Sequence, residues 1–486
     1  MSFGFTDLGY FLWFLPLAAI LSLWLFDRRV RGQLGILLVM SYLFFFLASG
    51  WHLILLIIST IVDWTAGSKI YSTNDKNKRK LWLILSLTTN LGLLAIFKYL
   101  DFLIRSLDWW SLNVGILPDE ELGLALPVGI SFYTFQTMSY TIDIYREKID
   151  PAESFVTFAC YAAFFPQLVA GPIVRFNDFR DQVRKELVFS LPRIKLGVTL
   201  ILYGLVKKLV FADNFAIQVD GIFSSDDSLD NTILIYWATL LFGLQIYCDF
   251  SAYTDIALGS AHIFGIQLPE NFRSPYKSTS PQDFWRRWHI TLSSWLRDYL
   301  YISLGGNRKG EFRMFLALIL TMVLGGLWHG ARINFVFWGI FHGVILIIHR
   351  VFSRSQVNKK IVLRHNTSHM AISWAITQWL VFMAWLIFRV EEKQALIRAL
   401  KSYLAIDSSF DIGGAIGAMP ERATYVFVLL SIFIIIHIFS SINEGSTKYH
   451  IAKLSSLKWG LMMGVFTSAI FFMRPAEVVQ FIYFRF

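Results

Sequence analysis

His329 lies in Leu324-Gly-Gly-Leu-Trp-His-Gly-Ala-Arg332, at the end of an apolar run that starts at Met314. Imidazole is the side chain best suited to exchange a proton near neutral pH, and an ionisable group inside a membrane-length segment is a functional candidate by default. The alternative is a hydrogen-bonded interior histidine with no part in chemistry. Gly325 and Gly326 let backbones approach closely, and Trp328 offers an apolar wall. His342, in Phe337-Trp-Gly-Ile-Phe-His-Gly343, is spaced to sit on the facing helix, as a structural group or a functional one.

A further histidine, His289, falls inside Asp283-Phe-Trp-Arg-Arg-Trp-His-Ile-Thr-Leu-Ser-Ser-Trp-Leu-Arg-Asp-Tyr-Leu-Tyr301. Wound at about 100° per residue, this stretch puts Trp285, Trp288, Leu292, Trp295, Leu296 and Tyr299 on one face and Arg286, Ser293 and Arg297 on another. His289 lands at their border. The pattern predicts one amphipathic helix with its aromatic face toward lipid or core. As an ordinary interfacial helix, its arginines meet lipid phosphates. As a functional one, Arg286, Arg287 and Arg297 form a cationic track for an anionic acyl donor while His289 points inward.

Gln245-Ile-Tyr-Cys-Asp-Phe-Ser-Ala-Tyr-Thr-Asp-Ile256 inserts Asp249 and Asp255 into an apolar span. A carboxylate there costs on the order of 2.5–3.5 kcal/mol unless it is paired. The two are read first as anchors, lining a polar interior or pairing with the arginines near Arg286, and second as acid–base groups.

The elements that must carry these residues follow from composition. Of 486 residues, 55% are hydrophobic and 16% charged, which excludes an ordinary soluble domain and predicts an all-α polytopic membrane protein. The formal charge of +10 is not a nucleic-acid signature, because the basic residues cluster between apolar segments as the positive-inside rule requires. Cys160 and Cys248 lie in apolar surroundings, with no spacing for a disulfide framework or a metal site.

Apolar runs near the ~20 residues a bilayer needs fall at 8–26, 34–49, 51–68, 81–104, 122–145, 194–212, 232–266, 311–328, 334–350, 371–388, 424–442 and 457–473, giving between ten and thirteen spans. The first is expected to be a retained helix rather than a signal peptide. Basic loops (Arg28 to Arg31, Lys76 to Lys80, Arg175 to Arg193, Arg273 to Lys309, Arg350 to Arg364) are expected on the cytoplasmic side. Acidic ones, including Asp119 to Glu121, Asp213 to Asp230, and Asp407 with Asp411, are expected outside with the N-terminus. Ser154 to Ile173, built around Phe164-Phe-Pro-Gln-Leu-Val-Ala-Gly-Pro172, is expected to be re-entrant, since its Pro and Gly leave backbone groups that lipid cannot satisfy. Residues 269–310 form the longest cytoplasmic region, amphipathic or re-entrant, within a single membrane domain covering 1–486.

Taken in order, Pro127-Val-Gly-Ile-Ser-Phe132, Phe165-Pro-Gln-Leu-Val-Ala-Gly-Pro172, Tyr247-Cys-Asp-Phe-Ser-Ala-Tyr-Thr-Asp255, Asn271-Phe-Arg-Ser-Pro-Tyr276, Phe284-Trp-Arg-Arg-Trp-His289 and Trp328-His-Gly330 resemble the membrane-bound O-acyltransferases. Within that family, the chain is most similar to the branch that O-acetylates bacterial polysaccharides such as alginate. The resemblance implies a helical bundle with re-entrant segments and a central tunnel, and a cytoplasmic acyl donor, acetyl-CoA, with no tightly bound cofactor. It makes His329 the essential histidine and His289 a positioning one, with Trp328, Asp249, Asp255, Asn271, His342 and the arginines as substrate-binding candidates. Two positions depart from the branch's pattern: Ile333-Asn334 stands where a tryptophan is expected, and Arg485 where a glutamine is common. Both bear on the acceptor.

The implied chemistry is removal of a hydroxyl proton by His329, attack on a thioester carbonyl, and stabilisation of the oxyanion by nearby donors, with water excluded. The flanking glycines are expected to leave room for a thin pantetheine arm. The resemblance implies an enzyme of a bacterial inner membrane, surrounded by membrane lipids, whose acceptor is an exported polysaccharide reached directly or through a periplasmic partner acetyltransferase. Alternatives are D-alanyl transfer from an acyl-carrier protein to teichoic acid, against which the spans beyond His349 argue, and a non-enzymatic transporter or export scaffold, for which no inverted repeat is visible.

Overall fold

The computed structural model describes residues 3–25, 30–100, 102–103, 125–308, 310–358, 367–442, 446–476 and 479–482. Among them the secondary structure is helical apart from one isolated bridge, Asn231 to Ser409. Among the described residues, eight helical stretches are long and apolar enough to cross a membrane, one of them, Gly32–Ser72, covering two helices in succession. The protein is an all-α, multi-pass membrane protein. Its chain divides into two compact units.

The first unit comprises Met1–Ile201 and Tyr253–Pro269. It holds α1 (Leu15–Ile20, flanked by π-helical turns), α2 (Val30–Ser49), α3 (Leu53–Ser72), α4 (Lys76–Leu94), α5 (Ile130–Tyr145), α6 (Phe155–Ala163), α7 (Phe165–Leu168), α8 (Phe176–Val183) and the start of α9 (Leu191–Val206). Asp75 caps α4 by accepting from the Asn77 N–H at 2.9 Å, which sets its start just before the apolar run. The span expected at 122–145 is helical only from Ile130, residues 122–124 lying outside the described set. Gly129 adopts φ +74, where a Cβ would sit 2.5 Å from the Leu168 carbonyl oxygen, so Pro127-Val-Gly129 stops the helix short.

The expected re-entrant segment is two short buried helices, broken at Phe164, with Pro166 in the first turn of α7. The freed Tyr161 carbonyl accepts from the Gln136 and Gln167 side-chain amides at 2.7 and 2.8 Å. Protein donors thus supply what lipid could not.

The second unit comprises Leu202–Ala252 and Glu270–Phe486. After a π-helical turn at Lys207–Ala212 come α10 (Asp213–Phe223), α11 (Thr232–Ile263, whose last turns belong to the first unit), α12 (Pro281–Arg287), α13 (Ile290–Trp295), α14 (Glu311–His329), α15 (Ile333–Asn358), α16 (Thr367–Arg389), α17 (Lys393–Tyr403), α18 (Ile412–Ala418), α19 (Ala423–Ile442), α20 (Thr447–Ala452) and α21 (Ser456–Met473). Its core is strongly aromatic, with Phe242, Phe284, Trp288, Phe335, Trp338, Trp385 and Phe388 all buried. In contrast, α19 and α21 leave residues such as Ile435, Phe439, Phe471 and Phe472 exposed, as lipid-facing helices do.

Helices α14 and α15 pack backbone to backbone. A Cβ on Gly326 would stand 2.1 Å from the Phe335 carbonyl oxygen, and one on Gly339 would stand 2.5 Å from that of Met322.

Candidate active site

The stretch expected as one amphipathic helix is broken at its centre. Ser280 caps α12 by accepting from the Asp283 N–H at 3.1 Å, and Pro281 fills the first turn. The helix ends where Trp288 turns extended and His289 adopts φ 41, ψ 55. A left-handed conformation is unfavourable for a residue with a Cβ, so the surroundings must hold it. Asn271-Phe-Arg273 does so. The Asn271 carbonyl accepts from the Ile290 N–H at 3.0 Å, and the Arg287 carbonyl accepts from the Arg273 N–H at 3.0 Å. The Asn271 side-chain oxygen takes the Thr291 hydroxyl at 2.6 Å.

Asn271, a substrate-binding candidate from sequence, is therefore placed beneath the histidine turn as its brace. The break follows from these partners, which lie outside the stretch itself. It also dissolves the expected arginine stripe. Arg287 pairs with Asp283 at 2.9 Å, Arg297 pairs with Asp298 at 2.8 Å, and Arg286 and Arg297 are exposed.

The aromatic positions turn into protein. Trp288 packs on Trp385 and Phe272 at centroid distances of 4.7 and 5.0 Å, and Leu292, Trp295, Leu296 and Tyr299 are buried. His289 is itself fully buried, with the Phe250 ring 4.7 Å away.

His329 is the last residue of α14, and Gly330 after it is extended. Its ring meets those of Trp328, Trp338 and Phe388 at 5.0, 5.4 and 5.4 Å, all edge to face. Trp328 also lies 5.9 Å from His289, so one indole touches both imidazoles. His342 sits on α15 as expected, but behind Trp338, whose ring is 4.6 Å from it. No hydrogen-bond partner reaches either of its ring nitrogens among the described residues. The glycine room expected for a pantetheine arm is occupied: Phe335 lies 2.1 Å from where a Cβ on Gly330 would be. The glycines serve helix packing instead.

The carboxylates divide. Asp255 is buried in the first unit. Asp249 is in the second and pairs with no arginine among the described residues. It accepts from Lys208 Nζ at 2.6 Å and from the Ile482 N–H at 2.6 Å. Lys208 also reaches Asp213 at 2.9 Å and lies 4.5 Å from the Phe481 ring centroid. Asp213, expected in an external acidic loop, is instead buried as the first residue of α10. Lys207 donates to Ser251 at 2.8 Å, so two consecutive lysines grip residues on either side of Phe250.

Sequence reading missed Lys208, although a lysine inside an expected span was the available signal. Phe250, Trp338 and Phe388 carried no signal beyond hydrophobicity. Arg485 lies outside the described residues, and Asn334 donates to the Phe388 carbonyl at 3.0 Å, fixing the helix end that carries Phe388. Among the described residues, no group of three His, Cys, Asp or Glu is arranged to hold a metal ion.

The chain is similar to known proteins over most of its length. The family model described as MBOAT, membrane-bound O-acyltransferase family, matches residues 121–390, which include both histidines. The chain is 38% identical over 390 residues to the probable alginate O-acetylase AlgI of Pseudomonas putida, covering 79% of this chain and 77% of that one. It is 37% identical over 403 residues to the peptidoglycan O-acetyltransferase of Helicobacter pylori, covering 76% and 73%. A teichoic acid D-alanyltransferase of Streptococcus thermophilus matches less of both chains, 30% identical over 257 residues, 48% of this chain and 59% of the relative.

Proposed function

Because the chain belongs to the membrane-bound O-acyltransferase family, we propose that it moves an acetyl group from cytoplasmic acetyl-CoA to hydroxyls of an exported, alginate-like polysaccharide, directly or through a partner acetyltransferase outside. That it is a multi-pass membrane acyltransferase is the shared ground; donor, acceptor, partner and residue roles are the proposal. In it the chain works as one membrane domain of a bacterial inner membrane with its N-terminus outside.

The observation that carries the reading is the buried pair His289 and His329 against a single tryptophan. His329 accepts the acceptor hydroxyl's proton as the oxygen bonds to the thioester carbonyl carbon. The carbon–sulfur bond then breaks, and the proton passes to the departing thiolate, so the cycle needs no net proton. Trp338 and Phe388 keep water off the ring, which suppresses thioester hydrolysis and strengthens local electrostatics. The held turn sets the direction of His289, which orients donor or acceptor.

The carrier-protein reading draws on the shorter match to the D-alanyltransferase. Transfer in sealed vesicles loaded with labelled acetyl-CoA separates the two. The wild type should label added glycan, and His329→Ala should lose about 10²–10⁴-fold of the rate. Full transfer by His329→Ala at equal protein level would remove it as the base. No use of acetyl-CoA by the wild type would shift the donor to a carrier protein.

A further inference from the structure

The turn that follows His329 is tied to the end of α16 at two points. Gly330 is extended, and the Phe335 N–H donates to the Arg332 carbonyl at 3.3 Å as the chain enters α15. In the interior, the Asn334 amide donates to the Ile387 and Phe388 carbonyls at 3.4 and 3.0 Å, in the last turn of α16, where a helix supplies no donors of its own. At the surface, the Arg332 guanidinium pairs with Glu391, two residues beyond that helix. Phe388 sits in this junction, its ring meeting those of Phe335 and His329 at 4.8 and 5.4 Å.

Glu391 is the anchored half of the pair. Arg389 before it reaches Asp220 of α10 at 2.8 Å, and Glu392 after it caps α17, accepting from the Gln394 N–H at 2.8 Å. Arg332 instead rides on a turn that leaves α14 through an extended glycine, so the pair restrains the turn more than it restrains α16. Both partners are exposed, 46% and 43%, and their attraction adds little to global stability. What it sets is the direction in which α14 ends, and with it the imidazole of the last residue, where a shift of about 1 Å is enough to cost roughly 10²-fold in rate. Nor does this rim offer an anion net attraction, since Arg332 and Arg389 stand beside Glu391, Glu392 and Asp220.

We propose that Arg332 and Glu391 are positioning residues for the reaction, their ion pair holding the turn after His329 against α16 so that the imidazole keeps its place beside Phe388. The assignment rests on the reading of His329 as the base. Binding of an anionic acceptor is the competing use of the same guanidinium, and the test separates the two.

Transfer from acetyl-CoA to deacetylated alginate would be followed in sealed vesicles, together with the rate at which diethyl pyrocarbonate modifies His329, read by mass spectrometry on the full chain in nanodiscs. Arg332→Gln and Glu391→Gln should each lower kcat about tenfold, leave both KM values within about twofold, and melt like the wild type. The double variant should lose no more than either single one, and the exchanged pair Arg332→Glu/Glu391→Arg should recover most of the rate. Modification of His329 should speed up several-fold in the two single variants and slow again in the exchanged pair. That modification needs neither donor nor acceptor, so it decides even where alginate takes no acetyl. Full transfer by His329→Ala would fail the base reading on its own, whatever the modification rates. If Arg332→Gln does not fold, judged by its melting curve, Glu391→Gln still decides.

Unchanged kcat in both single variants, additive losses in the double variant, or His329 modification that ignores the pair would overturn the proposal. So would a loss confined to KM for the glycan, which would assign Arg332 to the acceptor.

Discussion

Each unit of this protein buries a carboxylate inside an apolar helix, and the two do it by opposite means. Asp63 of α3 is satisfied by neutral donors. The Asn90 amide reaches its two oxygens at 2.9 and 2.9 Å, the Ser86 hydroxyl donates at 2.6 Å, and Ser59 holds Asn90 in place at 2.7 Å. Among the described residues no cation pairs with it. Asp249 of α11 is satisfied by a charge, Lys208, which it shares with Asp213. The neutral shell comes from neighbouring turns of α3 and α4, so it forms whenever those helices pack. The ionic cluster draws on two separated chain segments, one carrying Lys208 and Asp213 and the other Asp249, and on Phe481-Ile482, so every part of it depends on the others.

The largest test of that contrast is Lys208→Met, which leaves two buried carboxylates without their cation. The expected loss is about 3–5 kcal/mol, read as a large drop in melting temperature in detergent and a matching fall in folded protein. Lys208→Met/Asp213→Asn/Asp249→Asn, which neutralises the whole cluster, should recover most of it. If the single variant melts like the wild type, the cluster does not stabilise the fold.

Asp63→Asn should cost less, about 1–2 kcal/mol, because an amide oxygen still accepts from Ser86 and Asn90. A loss as large as that of Lys208→Met would show that the neutral shell depends on the negative charge, and the contrast would fail.

The smallest effect is expected where a carboxylate is paired in the open. Arg398 reaches both oxygens of Asp230 at 3.0 and 2.7 Å and holds its carboxyl below the usual range. Since the folded pKa is depressed, the contribution exists above about pH 4 and is lost as pH falls through the depressed value. Asp230→Asn should lower the melting temperature slightly at neutral pH and match the wild type once the wild-type carboxyl is protonated. A difference that grows on acidification would contradict this sign.

Much of the fold was legible because membrane helices are declared by run length. The expected spans from 34–49 and 51–68 through 457–473 fall on helices, with 122–145 starting late at Ile130 because Gly129 turns left-handed. The candidate site is legible in residue types: the sequence points to His289, His329 and Trp328, and the fold brings the three together. What did not read was the break at His289, since the 100° pattern of 283–301 is sound helix and only Asn271 and Arg273, from outside it, undo it. Nor did the partner of Asp249 read, since Lys208 lies 41 residues away and arginines near Arg286 looked equally suitable.

The sequence alone determined that the chain enters a membrane as helices, because burying apolar runs and closing backbone hydrogen bonds within each segment need no distant partner. It also determined which ionisable residues travel with those helices. Tertiary structure decided how those residues are used. It put Phe335 where the glycines had left room, gave Asp249 a lysine, and set one indole against two imidazoles. Those outcomes depend on which surfaces meet, and side-chain partners chosen across hundreds of residues leave no periodic trace in the chain.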